Sequence, residues 1–363
     1  MRVLFVGGGT LGSVTPLLAV AEEFQRQKKT PGVFFWGTRN GPERQLIEAA
    51  GIPFRSLPAG KLRRYWDLRN ILDLVVVKWA FWVALIRLIR ERPSVVVGAG
   101  SFVQVPVMWA AALLRIPIII HQLDVRPSLA NRLVAPFARH ITAVFQESAR
   151  ALGRRVAVIG NPVRRAVLNA RRRDSSTARH RFGLPADVPV LFVLGGGTGA
   201  QKVNLVVQRS LPALTARAFV LHVTGRGKAI DVSGYPASVR ARYQQFEMLT
   251  DAMPAAYAAA DLVVSRAGMG TITELAALGK PTLLIPMPGT HQEENAKAMT
   301  ERGAMRDWYE RYLPPPEFTK QVLALLSDTA QRATLARRSV QAFPTNAAEK
   351  IADAILRVVE NKI

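Results

Sequence analysis

The sequence contains no cysteine in 363 residues. Disulfides and thiolate metal sites are therefore excluded, in keeping with a cytosolic chain. It has no GxxxxGKS/T phosphate loop, no HExxH pair and no GxSxG elbow. Nucleotide hydrolysis, zinc-dependent hydrolysis and serine hydrolysis thus lack their customary motifs. No two aspartates stand at i and i+2, so the carboxylate pair that would hold a divalent ion against a diphosphate is missing. Long uninterrupted apolar runs are missing too. The richest, ILDLVVVKWAFWVALI, contains Asp73 and Lys78 and is followed by Arg87, which makes it a poor membrane span. The opening MRVLFVGGG runs from a strand pattern into a glycine turn. It lacks the apolar core and small-residue cleavage site expected of a signal peptide.

Acids are scarce: 26 Asp and Glu stand against 49 Lys and Arg, a net charge of +23. Such a surplus attracts polyanions, either nucleic acid or an anionic membrane face. Residues 61–92 hold eight basic and three acidic side chains. Their apolar positions Leu72, Val75, Val76, Trp79, Val83 and Ile86 follow helical spacing. Trp66, Trp79 and Trp82 with flanking arginines suit a helix lying on a membrane interface. The same pattern suits a buried helix with two core tryptophans. Residues 154–181 hold nine arginines and one acid, Asp174. No aromatic platform interleaves them beyond Phe182, which speaks against a single-strand nucleic-acid groove. Residues 171–181 read as a solvated interdomain linker.

The pattern along the chain is α/β. Strand-like apolar runs fall at 3–6, 33–36, 95–97, 116–120, 141–144 and 156–159, with helical patterns such as 16–27 and 103–114 between them. After GNPVR at 160–164 a second series begins at 190–194 and continues through 219–223, 262–264 and 282–285. Both series open on strand, glycine loop and helix: VLFVGGGTLGSVTP and VLFVLGGGTGAQKVN. This alternation predicts parallel, doubly wound sheets with right-handed crossovers. Two such domains facing a cleft are the expected architecture, spanning residues 1–164 and 165–344. Residues 345–363, helical over about 346–360 after the Phe343-Pro344 break, are expected to pack back on the first domain.

The most informative stretch is residues 265–295, SRAGMGTITELAALGKPTLLIPMPGTHQEEN. A glycine-containing loop opens a helix that carries one acid, Glu274. A second strand then leads to His291, Gln292 and Asn295. Ligands bind beyond the carboxyl ends of parallel strands, where both polar clusters would sit. A helix N-terminus favours a phosphate, and an acid in the first turns can hydrogen-bond a ribose diol. The unit reads as a nucleotide-diphosphate site beside a sugar-sized polar pocket. The plainer alternative is a βαβ unit with one surface Glu. Residues 7–12 satisfy GxGxxG at Gly7, Gly9 and Gly12, yet the second strand ends Phe35-Trp36-Gly37-Thr38 without the ribose acid of a dinucleotide domain. An NAD or FAD site is not expected.

In these blocks the chain resembles the MurG family. These are family-28 glycosyltransferases that move N-acetylglucosamine from UDP-GlcNAc to undecaprenyl-diphospho-muramoylpentapeptide in peptidoglycan synthesis. The residues that carry the resemblance begin with GGTLGSVTP at 8–16, GSFVQVP at 100–106 and HQLDVRPSLANR at 121–132. They continue with GNPVR at 160–164, LGGGTGA at 194–200, and SRAGMGTITEL through HQEENA at 265–296. The resemblance implies a GT-B fold of two Rossmann-like domains, the first meeting the lipid acceptor and the second binding UDP-GlcNAc. It implies inverting transfer, lipid I to lipid II, by a peripheral enzyme on the cytoplasmic face of an anionic membrane. No nucleic-acid partner, metal or other cofactor is expected.

Carried over residue by residue, Arg164 and the loop with Gly197, Thr198 and Gly199 would face the diphosphate. Met269, Gly270, Thr271, Ile272 and Thr273 would supply helix-terminal N–H groups, with Glu274 on the ribose. Thr250, after a strand end at Leu249, would meet uracil through its backbone. His291 and Gln292 would contact the sugar hydroxyls. Thr10, Leu11, Gly12 and Asp124 would complete the donor side. Fixed donors suit a phosphate, a carboxylate suits a diol, and amide and imidazole suit hydroxyls.

The chain departs from the family at GGTGGH, here Gly8-Gly9-Thr10-Leu11-Gly12-Ser13. It departs again at HEQN, here His121-Gln122-Leu123-Asp124, and at the donor-loop serine and glutamine, here Gly197 and Thr198. In the implied reaction an acceptor hydroxyl attacks C1 of the sugar as UDP leaves. Arg164 and the helix N-termini near Gly199 and Gly268 would stabilise the leaving charge. Asp124 is the candidate general base, with Ser13 hydrogen-bonding the ligand. The alternative for Asp124 is a turn cap before Pro127. The alternative functions are a GT-B transferase with another lipid or glycan acceptor, and a non-catalytic homologue.

Overall fold

The computed structural model describes residues 1–60, 69–153, 156–171, 174–195, 200–309 and 314–360, with the side chains of residues 69–73 outside the described set. The chain divides into two compact units, Met1–Arg164 with Pro344–Ile363, and Arg165–Phe343. The first unit runs β1 (Arg2–Val6), α1 (Thr15–Arg26), β2 (Gly32–Thr38), α2 (Glu43–Ala49), β3 (Phe54–Leu57), α3 (Arg69–Glu91) and β4 (Val95–Gly98). It continues with α4 (Gln104–Leu113), β5 (Ile118–Gln122), α5 (Leu129–Val134), β6 (His140–Ala143), α6 (Gln146–Leu152) and β7 (Val156–Val158). The second unit runs α7 (Arg165–Ala170), α8 (Ser175–Arg181), β8 (Val190–Leu194), α9 (Gln201–Thr215), β9 (Phe219–Val223), α10 (Ala237–Arg240), β10 (Tyr243–Phe246) and α11 (Met253–Ala259). It ends with β11 (Leu262–Ser265), α12 (Met269–Leu278), β12 (Thr282–Leu284), α13 (His291–Glu301), β13 (Arg306–Asp307), α14 (Pro315–Ser327) and α15 (Thr329–Gln341). The chain then returns to the first unit as α16 (Ala347–Glu360).

Each unit is built on one sheet, of seven strands in the order β3-β2-β1-β4-β5-β6-β7 and of six in the order β10-β9-β8-β11-β12-β13. The ladders are parallel, with Val3 opposite Val33 and Val95 in the first sheet, and Leu191 opposite Val220 and Leu262 in the second. The runs VLFV, VVV and III are continuous because helices cover both faces of such a sheet, leaving no solvated side to be polar. Val3, Leu4, Phe5 and Val6 are wholly buried. Strand order reverses beside the first strand of each unit, between β1 and β4 and between β8 and β11. At such a point the two following loops part and leave a crevice at the carboxyl edge.

In the first core, Leu4, Trp36 and Ile118 of the sheet cluster with Ala84 and Leu88 of α3 and Met108 of α4. α16 buries Ile351, Ala352 and Ile355 and packs on α1. Its approach depends on Gly160, which has φ +81 and where a Cβ would come within 2.9 Å of Pro344. A shallow groove of about 730 Å³, lined by Met1, Leu88, Ile89, Arg92, Ile116 and Val359 among others, lies at the amino edge of the first sheet, opposite the crevice.

The structure corrects several expectations. Three strands, β3 (FRSL), β10 (YQQF) and β13, have no apolar run to announce them. All three are edge strands, half solvated, so the rule for buried parallel strands fails there. Residues 174–181 are not a linker but a capped helix. Asp174 accepts from Ser176 N and Thr177 N and caps α8, and Arg179 pairs with Asp261 at 2.7 Å. Helix α3 is not a buried helix with core tryptophans. Ala80, Ala84 and Leu88 face the core, while Trp79 is 62% and Trp82 57% exposed, in line with Val75, Ile86 and Ile89. Trp66 lies outside the described residues. No helix among the described residues is long and apolar enough to cross a membrane.

Candidate active site

In the second unit β11 ends at Ser265, and Gly268 N-caps α12 with no side-chain cap. The first N–H groups of α12 thus open at the carboxyl edge of the sheet, beside the reversal of strand order, where an anion is favoured. Met269, Ile272 and Thr273 are buried, and Thr273 gives its hydroxyl to the Met269 carbonyl at 2.6 Å. Their side chains hold the helix down, so only their backbone can serve a ligand. Gly270, Thr271 and Glu274 are half-buried.

Glu274 accepts a hydrogen bond from the Tyr257 hydroxyl of α11 at 2.9 Å. Burial, reinforced by the Glu274 charge, holds the Tyr257 pKa well above its ordinary value. The phenol therefore stays a donor and fixes one carboxylate oxygen of Glu274. Tyr257 carries no sequence signal beyond being a tyrosine in an apolar helix.

The loop between β12 and α13 is stapled to the helix it precedes. Thr290 accepts from Gln292 N at 3.3 Å and gives its hydroxyl to the Met287 carbonyl at 2.8 Å. Gln292 Oε1 accepts from Met287 N at 3.1 Å, and Glu293 accepts from Gly289 N at 3.1 Å. His291 and Gln292 sit half-buried in the first turn of α13. With its oxygen accepting from Met287, the Gln292 amide is oriented and keeps its NH2 as a donor for a ligand. Asn295 is wholly buried and donates to the Ala267 carbonyl at 3.1 Å, bracing the α12 loop against α13.

Thr250 needs a correction. Strand β10 ends at Phe246, not Leu249, because its partner β9 ends at Val223, opposite Phe246. Thr250 is exposed in the loop beyond, and its carbonyl accepts from Met253 N at 3.2 Å. Gly197, Thr198 and Gly199 lie outside the described residues.

A buried network under the β9 loop escaped the sequence reading. Asn204 donates to the carbonyls of Thr224 at 2.9 Å and Lys228 at 3.2 Å. Its oxygen lies 3.1 Å from His222 Nε2, and His222 Nδ1 lies 3.0 Å from the Tyr243 hydroxyl. These roles make His222 a neutral Nε2–H tautomer. Burial lowers its pKa to about 3.

In the first unit the loop after β1 presents Thr10 exposed and Leu11 and Gly12 half-buried, while Ser13 is buried. The Ser13 hydroxyl makes no hydrogen bond among the described residues. The polar residues of 100–132 join in a buried chain. Gln104 accepts from Gly100 N at 2.9 Å and donates to Asn131 Oδ1 at 2.6 Å. Asn131 donates to Gln122 Oε1 at 2.7 Å, and Gln122 donates to the Asp124 carbonyl at 2.8 Å. Gln122, which stands where the family has an acid, is therefore a brace for the loop that carries Asp124. Asp124 itself is half-buried. Ser13 and Asp124 follow β1 and β5, strands with β4 between them whose axes run roughly 10 Å apart. His121 is wholly buried against Thr142 at 2.8 Å, and desolvation lowers its pKa to about 4. Arg164 donates from Nε to Glu22 of α1 at 2.9 Å. Among the described residues no group of three or more His, Asp or Glu could hold a metal ion.

Two Rossmann-like parallel-sheet units in one chain are the architecture of the GT-B class, which solved glycosyltransferases share. The glycosyltransferase family 28 N-terminal domain matches residues 3–143, and the family's C-terminal domain matches residues 190–355. The chain is 40% identical over 287 residues to the UDP-N-acetylglucosamine--N-acetylmuramyl-(pentapeptide) pyrophosphoryl-undecaprenol N-acetylglucosamine transferase of Lachnoclostridium phytofermentans, covering 79% of this chain and 78% of that one. It is 34% identical to the Paenarthrobacter aurescens protein of the same name, over 99% of this chain and 96% of that one. The crystal structure of Acinetobacter baumannii MurG shares the fold, with TM-score 0.73 and 24% identity over 98% of this chain and 99% of that one. The chain belongs to glycosyltransferase family 28 and, within it, to the MurG family.

Proposed function

We propose that this glycosyltransferase moves N-acetylglucosamine from UDP-GlcNAc to a polyprenyl-diphospho-muramoylpeptide, lipid I to lipid II, in peptidoglycan synthesis. The observation that carries the reading is near-full-length similarity to relatives named for that reaction, 34% over 99% of the chain, with the donor block 265–296 built as an open helix N-terminus. The diphosphate is assigned to the N–H groups of Met269, Gly270 and Thr271, to Arg164, and to the loop of Gly197, Thr198 and Gly199. Glu274 takes the ribose diol, the Thr250 backbone the uracil, and His291 and Gln292 the sugar hydroxyls. Thr10, Leu11 and Gly12, in the loop after β1, complete the donor side. Asp124 takes the proton of the attacking hydroxyl, Ser13 hydrogen-bonds the ligand, and one displacement at C1 inverts the sugar. Charge on departing UDP is met by fixed dipoles and arginine, so no metal is required.

Exposed apolar residues along α3, in a chain of net charge +23, support peripheral attachment to the anionic cytoplasmic face of the membrane and not to nucleic acid. The first unit is then the acceptor side and the second the donor side. The deciding experiment incubates purified protein with radiolabelled UDP-GlcNAc and lipid I beside a panel of other polyprenyl acceptors, with and without EDTA. Transfer to lipid I that survives EDTA is expected. Transfer only to another acceptor replaces the substrate, and a strict, restorable metal requirement overturns the metal-free mechanism.

A further inference from the structure

Glu43, the first residue of α2, is wholly buried and accepts from every partner it touches here. It takes the Thr38 N–H at 2.7 Å, the Thr38 hydroxyl, and the Gly9 N–H at 3.3 Å. A side chain at Gly8 or Gly41 would run into the carboxylate, so these glycines are the walls of its seat. Gly9 stands at φ +80, and the Gly8 carbonyl is held at 2.9 Å by Ser101 from the loop after β4. In a dinucleotide-binding sheet the loop after the first strand cradles a pyrophosphate, and an acid at the end of the second strand meets a ribose. Here the acid arrives a few residues later, from the first turn of α2, and turns inward onto the loop itself.

We propose that Glu43 is the built-in anion of the first glycine loop, positioning residues 9–13 on the acceptor side and denying Gly9 to a phosphate. The carboxylate occupies the donor that a phosphate oxygen would use. The opening of α12, after β11 of the second unit, carries no such side-chain cap. The proposal rests on reading the first unit as the acceptor side, and half of its test does not.

That half uses the unaltered chain. In backbone NMR of the labelled protein, inorganic pyrophosphate and UDP should shift the amides of Met269 and Gly270 and leave Gly9 in place. A Gly9 shift as large as that of Gly270 overturns the proposal, whether or not the chain transfers sugar. The other half is Glu43→Gln, which keeps an acceptor for Thr38 but sets an amide NH2 against the Gly9 N–H. The KM for lipid acceptor should rise about tenfold or more, with the donor KM within about twofold. Thr38→Val, which removes only the hydroxyl, should leave the acceptor KM unchanged. If Glu43→Gln lowers the active fraction with both KM values intact, or Thr38→Val raises the acceptor KM equally, Glu43 is no positioning residue. Should Glu43→Gln fail to fold, the pyrophosphate titration alone decides.

Discussion

The hydroxyl of Tyr257 and the carboxylate of Glu274 lie 2.9 Å apart, the first buried and the second half-buried. One carboxylate oxygen is thereby fixed before any ligand arrives. Glu274→Ala should weaken UDP-GlcNAc binding by roughly 1–3 kcal/mol, the range for hydrogen bonds to a charged group. Tyr257→Phe, which leaves the acid but frees it to rotate, should show a smaller loss. Calorimetry tests both, and equal affinity in Glu274→Ala would remove Glu274 from the site.

Histidine 222 makes the second unit sensitive to acid. Its folded pKa is about 3 against an ordinary 6.5, so the unfolded chain binds more protons between those values. Stability is therefore complete above about pH 6.5 and declines as pH falls toward 3, by on the order of 1 kcal/mol per unit. Hydrogen exchange of the β9 amides at pH 7 and pH 5 should show the loss. It should be smaller in His222→Asn, which cannot charge.

Exposure of Trp79 and Trp82 separates adhesion from stability. Each is more than half exposed, so alanine at either should leave the melting temperature nearly unchanged. Binding to anionic liposomes should fall, since full burial of a large apolar side chain is worth roughly 1.5–3 kcal/mol. Added salt should weaken the binding by screening. Flotation that ignores lipid charge would refute the electrostatic part.

The general base is testable at Asp124. Asp124→Asn should lower turnover by roughly 10²-fold or more, the size of a lost proton acceptor. UDP-GlcNAc affinity should barely move. A variant as fast as the parent would make Asp124 a turn residue and place the base elsewhere.

The sequence showed the sheets more clearly than the braces between them. Val190–Leu194 and Phe219–Val223 match their apolar runs residue for residue, because a strand covered on both faces has no choice of polarity. Edge strands such as YQQF escape that rule. Within the candidate site, Glu274 and the opening of α12 were proposed from a glycine loop followed by one acid. Tyr257, Glu43 and Asn204 were not, because each acts through partners 17 to 34 residues away in sequence or through a carbonyl that only the fold brings near. Arginines 171 to 181 misled for the opposite reason: a run of charge looks solvated until one member, Arg179, finds Asp261.

The return of α16 to the first unit has a consequence for how the chain is made. The second unit is one continuous stretch, Arg165–Phe343, and can close as soon as it leaves the ribosome. The first unit cannot, because the face of α1 that receives α16 stays open until that helix has been translated. At the usual 5–20 residues per second, the intervening unit holds that surface bare for roughly ten to forty seconds. The half of the protein synthesised first is the half completed last, and a ribosome that stalls anywhere in the second unit releases a first unit with its seam unsealed.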